Sequence, residues 1–472
     1  MFTEFSEAAA FVREHNVRMI DLKFADSWGR WHHVTLSAGE FTPDTMKSGV
    51  GFDGSSVGLK NVKSGDMALI PDLQTAFLDS FWELPTLSFI CNTVEADTKQ
   101  LFVRDPREIA RRAEQFLHAT GTASDSRWGP EFEFYIFSGI SFENGVNTSS
   151  YRIESSEGSW NSGQSSPGFF NSPKGGYHAI PPNDHHYLLR SRMVSLIEEI
   201  GIPIKYHHHE TGGPGQSEIE IPMMGLLASA DAALTIKYVT RMVANQAGMS
   251  VTFLPKPLYG EAGSGMHFHQ QLFSNNTNLF YDPNNTNLLS QTALFYIGGL
   301  LTHAPAVLAF TNPSTNSYRR LIPGFEAPVN CFFSRANRSA AIRIPKYATQ
   351  PDKVRMEFRP PDGTCNPYLA MAAMLMAGID GIRRKIDPTI VGFGPIDDDI
   401  FAWSPDQRSK IKNLPTSLEE SLQALQKDYA FLLEGNVFDE SLIQDWISSK
   451  QKEDYELRIR PHPFEIQKYF DY

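Results

Sequence analysis

Cysteine is scarce in this chain. Cys91, Cys331 and Cys365 lie far apart and form no CxxC pair, which argues against a disulfide framework and against a zinc–thiolate centre. A basic excess is also missing: 42 Lys and Arg stand against 54 Asp and Glu, for a formal net charge of −12. A general nucleic-acid binder needs a basic face to neutralise phosphates, so no nucleic-acid partner is expected, although a local basic pocket is compatible with the balance. The first stretch, MFTEFSEAAAFVREHNVRMI, mixes charged residues with apolar ones at helical spacing and lacks the unbroken apolar core of a secretory signal. No apolar run reads as long enough to cross a bilayer. A cytoplasmic protein with no membrane partner is expected. Neither a GxxxxGK(S/T) loop nor a GxGxxG turn opening a helix occurs, so any use of ATP has to come through metals and arginines. Internal repeats and low-complexity tracts are absent as well.

What is present is the composition of a globular protein, with 41% hydrophobic and 20% charged residues. A chain of 472 residues is too long for one ordinary core, so two domains or more are expected. Residues 4–16 read as an amphipathic helix. VRMIDLKFAD, SWGRWHHVTL, DMALIPD and TLSFICNTVE read as short strands. Residues 48–60 carry four glycines and adjacent serines around Asp53, which is loop chemistry. Asp105-Pro106-Arg107-Glu108 offers a helix N-cap, a proline at the first helical position and a Glu three residues after the cap, and a domain boundary is placed near 104. Residues 138–172 read as a long exposed excursion with little periodicity. Helices are expected at about 184–200, 227–248, 290–304 and 367–384, a hairpin turn or insertion at 274–287, and a charged helical tail from 416 to 450. The last residues, RPHPFEIQKYFDY, are unusually aromatic for a free tail and are expected to dock on a neighbour.

Chemistry concentrates in four stretches that alternate charged and apolar residues. They are Glu131-Phe132-Glu133-Phe134, Glu218-Ile219-Glu220-Ile221, His267-Phe268-His269 and Arg355-Met356-Glu357-Phe358-Arg359. Residues i and i+2 of a strand share a face, so one such stretch alone fits a strand with a wet side. Four together do not, because their polar positions hold only Glu, His and Arg. If the faces converge, so many acids need a compensating cation, and carboxylates with imidazole suit Mg²⁺ or Mn²⁺. Arg319, Arg320, Arg335, Arg338, Arg343, Arg355 and Arg359 crowd one span and suit a pocket for phosphate and a carboxylate substrate. In Lys256–Gln270, the glycines of Gly263-Ser264-Gly265 free the backbone for close approach beside the paired imidazoles. In His207-His208-His209-Glu210, His207 and His209 share one face of a strand and His208 and Glu210 the other. That argues against a tag-like metal cluster and makes Glu210 the more promising member, with Glu218 close by across a glycine-rich turn.

FDGSS (52–56), GPEFEF (129–134), KGGY (174–177), HHHE (207–210), GSGMHFH (263–269), NPSTNSYRRLIPGFEAP (312–328), NRSAAIRIP (337–345) and RMEFRPPD (355–362) resemble, in order and spacing, glutamine synthetase of the bacterial type I class. The resemblance spans essentially the whole chain. It implies an α+β fold, with a small N-terminal β-grasp domain over 1–104 and a large catalytic domain over 105–472, whose antiparallel sheet is flanked by helices. It implies ligation of ammonium to L-glutamate with ATP, through γ-glutamyl phosphate, two or three Mg²⁺ or Mn²⁺ ions, and a homododecamer with active sites between adjacent subunits.

Carried over by motif, one metal site takes Glu133, Glu210 and Glu218, and a second takes Glu131, His267 and Glu357. His269, Arg338, Arg343 and Arg355 match positions that contact the phosphates of ATP. Arg320, Arg338, Arg359 and the Gly263 backbone match the glutamate site. Glu326 matches the flap acid. Asp53 and Ser56 of an adjacent subunit, with Tyr177 nearby, match the ammonium site. Asp53, Glu326 and Arg338 are the catalytic candidates. The chain departs from the family pattern at Lys205, where an acid is common, at Gln271, where Ser is common, and at Asp352, where a base is expected. Ala262 replaces a common Asn, and Phe401 aligns with a tyrosine that some members adenylylate, so adenylylation is not expected there. The alternatives are a γ-glutamyl ligase for another amine and a non-catalytic relative. The second would be expected to lose metal carboxylates, and all six ligands are present.

Overall fold

The computed structural model describes residues 1–60, 65–163, 165, 167–285, 287–323, 327–335, 337–398 and 400–471. Glu326 and the side chain of Phe401 lie outside the described residues. After α1 (Phe5–Glu14), an N-terminal sheet is built from β1 (Met19–Ala25), β2 (Trp31–Ser37), β3 (Val50–Asp53), β4 (Asp66–Pro71), β5 (Phe77–Asp79) and β6 (Thr86–Glu95), with α2 (Pro43–Lys47) between β2 and β3. The strand order is β2-β1-β6-β4-β3, with β5 on β6. β1 runs parallel to β6 and antiparallel to β2. Ile20, Leu22, Leu69 and Phe89 form a core of their own, and Phe5 and Phe11 of α1 pack into it. β3 falls inside the glycine-rich stretch expected to be a loop. Pairing with β4 and the partial burial of Val50 and Phe52 outweigh the glycines there.

Asp105 caps α3 (Pro106–Ala119), its carboxylate accepting from Arg107 N at 3.0 Å. Glu108 pairs with Arg111 and closes no capping box. Arg107 is buried and ties the two parts of the chain together. Its guanidinium donates to Asp72 (2.8 Å) and Asn92 (2.7 Å) from the first sheet's side, and to Asp231 (2.8 Å) from the other.

The second part is organised on β7 (Asp125–Phe137). Next come β8 (Gly139–Asn144), β9 (Ser149–Glu154), α4 (Tyr187–Glu199), β10 (Tyr206–His209), β11 (Gln216–Glu220), β12 (Met224–Gly225) and α5 (Leu226–Gln246). They are followed by β13 (Ser250–Thr252), β14 (Phe268–Ser274), β15 (Thr277–Asn278), α6 (Gln291–Thr311) and α7 (Ser317–Arg320). β16 (Asn330–Ser334), β17 (Ala340–Arg343), β18 (Met356–Phe358) and α8 (Pro367–Arg384) complete this layer. The large sheet has the order β10-β11-β7-β14-β18-β17-β16, antiparallel except between β16 and β17. A tail of α9 (Pro405–Arg408), α10 (Leu418–Lys427), α11 (Ala430–Leu433), α12 (Glu440–Arg458) and α13 (Pro463–Tyr469) closes the chain.

Three further expectations differ from the structure. The stretch read as an irregular excursion contains the hairpin β8–β9. Its residues are exposed on both faces, so no alternation marks them. The chain then returns inward, where Glu157 is fully buried against His209 (2.9 Å). The helix expected to stop at 304 instead runs through Pro305 to Thr311. A proline inside a helix leaves a carbonyl one turn back without its partner. Here Leu301 O accepts from the Cys331 thiol (3.3 Å), and Ala306 to Phe310 are buried. Finally, α6 is long and apolar enough to cross a bilayer by length and composition, contrary to the expectation from the sequence. However, 78% of its apolar window is buried inside the protein, so it is read as a core helix. It packs on α8 at two glycines. A Cβ on Gly299 or on Gly381 would fall 2.5 Å from the other's Cα.

Candidate active site

Strand register brings the chemistry to one face. Glu218 on β11 stands opposite Glu133 on β7, and Glu220 opposite Glu131. His208 on β10 stands opposite Glu218. His269 on β14 stands opposite Glu357 on β18, which also faces Arg343 on β17. Residues opposed in a ladder project to the same side. Their neighbours Phe132, Phe134, Ile219, Phe268, Met356 and Phe358 project to the core. The four alternating stretches therefore do converge, on a cavity of about 500 Å³.

Among the described residues, three groups of side chains have ligand atoms within 4.8 Å of one another: Glu131, His267 and Glu357; His208, Glu210 and Glu218; and Glu131, Glu220 and His269. The first two groups line the cavity, and in the third Glu131 alone does. Glu131 joins two of them, meeting His267 Nδ1 at 2.8 Å and His269 Nε2 at 2.7 Å. Burial disfavours its charge, but the two imidazoles outweigh burial and hold the carboxyl well below the usual range. Glu218 has the opposite fate. Burial, and then the charges of Glu131, Glu133, Glu210 and Glu220, push it well above the usual range. Glu357 is fully buried. Burial raises it, but Arg359 outweighs that and lowers it, and its oxygens accept from Arg343 (2.8 Å) and Arg359.

The loop before β14 is shaped to come close. A Cβ on Gly263 would lie 2.7 Å from Arg320 Cγ and from Pro255 O. Two residues on, Gly265 N donates to Glu133 (2.6 Å). Arg320 is buried. It donates to Pro360 O (2.7 Å) and to His267 Nε2 (3.2 Å). Arg338, Arg343 and Arg359 line the cavity, and Arg355 donates to His269 Nδ1 (3.2 Å) from just behind. Tyr177 lines the cavity too, stacked on His178 with ring centroids 4.2 Å apart and edge-on to His208.

Not every candidate gathers here. Asp53 and Ser56 sit on the N-terminal part and do not line the cavity. Asp53 is exposed, and bonds from Ser55 and Ser56 hold its carboxyl below the usual range. Of the four residues in HHHE, His209 is buried against Glu157, away from the cavity, while His208 and Glu210 line it.

Sequence reasoning missed His208 and Glu220. The signal was present, since alternation sets His208 with Glu210 and Glu220 with Glu218. The departures also find partners. Lys205 donates to Glu220 (2.6 Å), Gln271 donates to the carbonyls of Asp352 (3.0 Å) and Val354 (2.9 Å), and Ala262 O accepts from Tyr135 OH (2.7 Å).

Residues 16–96 match the family described as glutamine synthetase, beta-Grasp domain, and residues 103–469 match glutamine synthetase, catalytic domain. The chain is 46% identical over 477 residues to a glutamine synthetase of Frankia alni, covering all of both chains. It is also 46% identical to one of Aquifex aeolicus, over 98% of each. A solved structure of Plasmodium falciparum glutamine synthetase aligns with a TM-score of 0.89 at 26% identity, over 99% of each chain. With both family domains matched in order along the fold, the chain belongs to the glutamine synthetase family.

Proposed function

We propose that this chain ligates ammonium to the γ-carboxyl of L-glutamate at the expense of ATP, giving L-glutamine, ADP and phosphate. The observation that supports this most directly is the convergence of the Glu, His and Arg positions of four strands on one cavity. The residues also fit divalent cations. Glu218 is raised by burial and by neighbouring acids, and Glu220 Oε2 is buried with no hydrogen-bond partner among the described residues. Both are relieved by a cation. Glu131, His267 and Glu357 would hold one ion. Glu210 and Glu218, with His208 or Glu133, would hold a second, and Glu131, Glu220 and His269 a third. Hard oxygen donors with few imidazoles suit Mg²⁺ or Mn²⁺. When bound, such ions offset charge on a transferring phosphoryl group.

The chain's own residues do the rest. A carboxylate is a poor acyl donor because oxide is its leaving group. Attack of the γ-carboxylate oxygen on the γ-phosphorus of ATP breaks the bond to ADP and yields an acyl phosphate. Arg338, Arg343 and Arg355 face the phosphates, and Arg320 and Arg359 hold the glutamate carboxylate beside Gly263. Ammonium is not nucleophilic until it loses a proton. Asp53 of an adjacent copy, oriented by Ser56, draws in the cation and takes that proton, near Tyr177. Ammonia then attacks the acyl carbon and phosphate leaves. Glu326 takes the next proton and shields the acyl phosphate from water.

Two further readings accompany this one. The chain is read as two domains meeting near residue 104, which the bounds of the family matches support. It is read as a cytoplasmic homododecamer, supported by the apolar side chains exposed at its C-terminus, such as Phe464, Ile466 and Phe470. The test is product analysis with ammonium beside a panel of polyamines and amino alcohols. Glutamine as the preferred product upholds the proposal. A γ-glutamyl amide of another amine, formed in preference to glutamine, overturns it.

A further inference from the structure

Tyr347 takes no part in the chemistry above. It lies between β17 and β18, lines the same cavity and is 63% exposed. A single exposed aromatic ring needs no special explanation. What sets this one apart is its tether. Its hydroxyl accepts from Arg355 Nη2 (3.2 Å), and the Arg355 guanidinium carbon stands over the ring, 5.4 Å from the centroid. The same arginine donates through Nε to His269 Nδ1 (3.2 Å), and His269 meets Glu131 (2.7 Å). A continuous line of contacts thus runs from the cation-binding acids, through a phosphate-facing arginine, to an aromatic ring beside solvent.

Tyr206, at the start of β10, also lines the cavity, on the opposite flank of the sheet. Its ring is already engaged, with Lys205 Nζ 4.9 Å from the centroid and the His208 ring at 5.9 Å. As a residue, Tyr347 is more open to solvent than Tyr206, which is 43% exposed.

We propose that Tyr347 is the platform on which the base of the bound nucleoside triphosphate stacks, with Arg355 fixing the spacing between base and phosphates. This rests on the ATP site proposed above. A nucleotide whose triphosphate lies on the acids and arginines has to extend its base away from them, toward solvent. A planar heteroaromatic base gains by stacking on a tyrosine face, and stacking requires no hydrogen-bonded readout of its edge.

The test compares ATP with inorganic tripolyphosphate, which has the phosphates and no base. Binding of each to the full-length protein with Mg²⁺ is measured by calorimetry. Tyr347→Ala is expected to weaken ATP roughly 5- to 150-fold, the effect of losing one base–aromatic stack, and to leave tripolyphosphate unchanged. Tyr347→Phe, which keeps the ring and loses the Arg355 bond, is expected to retain most of the ATP affinity. Equal losses for the two ligands, no loss for ATP, or a loss in the Phe variant as large as in the Ala variant would each overturn the proposal. A wild-type protein that shows this binding pattern yet makes no glutamine overturns the functional reading and leaves the base platform standing.

Discussion

Glu218 faces Glu133 directly across the antiparallel register of β11 and β7, two buried acids on one side of the sheet. Glu210 adds a third, within reach of Glu218 and His208. Like charges at this spacing are held together at lowest cost by a divalent cation. Mg²⁺ or Mn²⁺ is therefore expected to raise the thermal midpoint, with stabilisation of about 2.7 kcal/mol at a hundredfold excess over the dissociation constant. Glu218→Gln is expected to reduce that shift, by removing a ligand of one of the ions, and to raise the midpoint of the metal-free protein. Differential scanning fluorimetry with and without the ions checks both.

The adjacent histidines His208 and His209 separate metal binding from folding. His208 is on the cavity side and His209 is buried on Glu157. His208→Ala is expected to weaken the cation roughly tenfold or more, as loss of a ligand or of its support does, with little change in denaturant midpoint. His209→Ala is expected to lower the midpoint, because it leaves buried Glu157 with the His185 N–H on Oε1 and no imidazole on Oε2. Metal titration beside urea unfolding of the two variants decides this.

At the crossing of α6 and α8, Gly299 and Gly381 leave no room for a side chain. Gly299→Ala should destabilise by about 1–3 kcal/mol, the usual cost of overpacking, and by more if the helices cannot part. Urea unfolding of this single variant is sufficient.

Three helical segments meet at His303. Its ring bonds to Asp380 of α8 and to Asp428 beyond α10, both at 2.8 Å, and stacks on Phe431. Burial opposes its charge, but the two carboxylates outweigh burial and raise its pKa above the ordinary value. Arg384 also pairs with Asp380, at 3.0 Å. A raised folded value means that the stabilisation is fully present below the unfolded pKa of about 6.5 and is lost as pH rises through the folded value. His303→Gln should therefore cost more at pH near 6 than near 9. Urea unfolding at the two pH values measures the gap.

The C-terminal segment leaves Ile459, Phe464, Ile466 and Phe470 exposed. If these side chains dock on neighbouring copies, truncation after Arg458 should reduce the native mass in solution while leaving the fold intact by circular dichroism. An unchanged mass would assign the assembly to other surfaces.

The legible parts of this protein are those where one side of an element is buried. Glu131 to Phe134 and Arg355 to Arg359 alternate because one face meets the core and the other meets the cavity, so their period is written in the residues. The hairpin at 139–154 has no buried face and leaves no such trace. β3 is masked by its glycines and Pro305 falsely ends α6, because strand pairing and helix packing act through residues far along the chain. His208 and Glu220 were present in the alternation, but only the register of β10, β11 and β7 shows that their faces coincide with that of Glu131.

The central claim is that the γ-carboxylate of glutamate becomes an acyl phosphate in this cavity before ammonia attacks. Glutamate carrying heavy oxygen in its γ-carboxylate tests this, with mass analysis of the phosphate released alongside glutamine. The account predicts that each phosphate carries a single heavy oxygen taken from the carboxylate. Glutamine formed with unlabelled phosphate would contradict it.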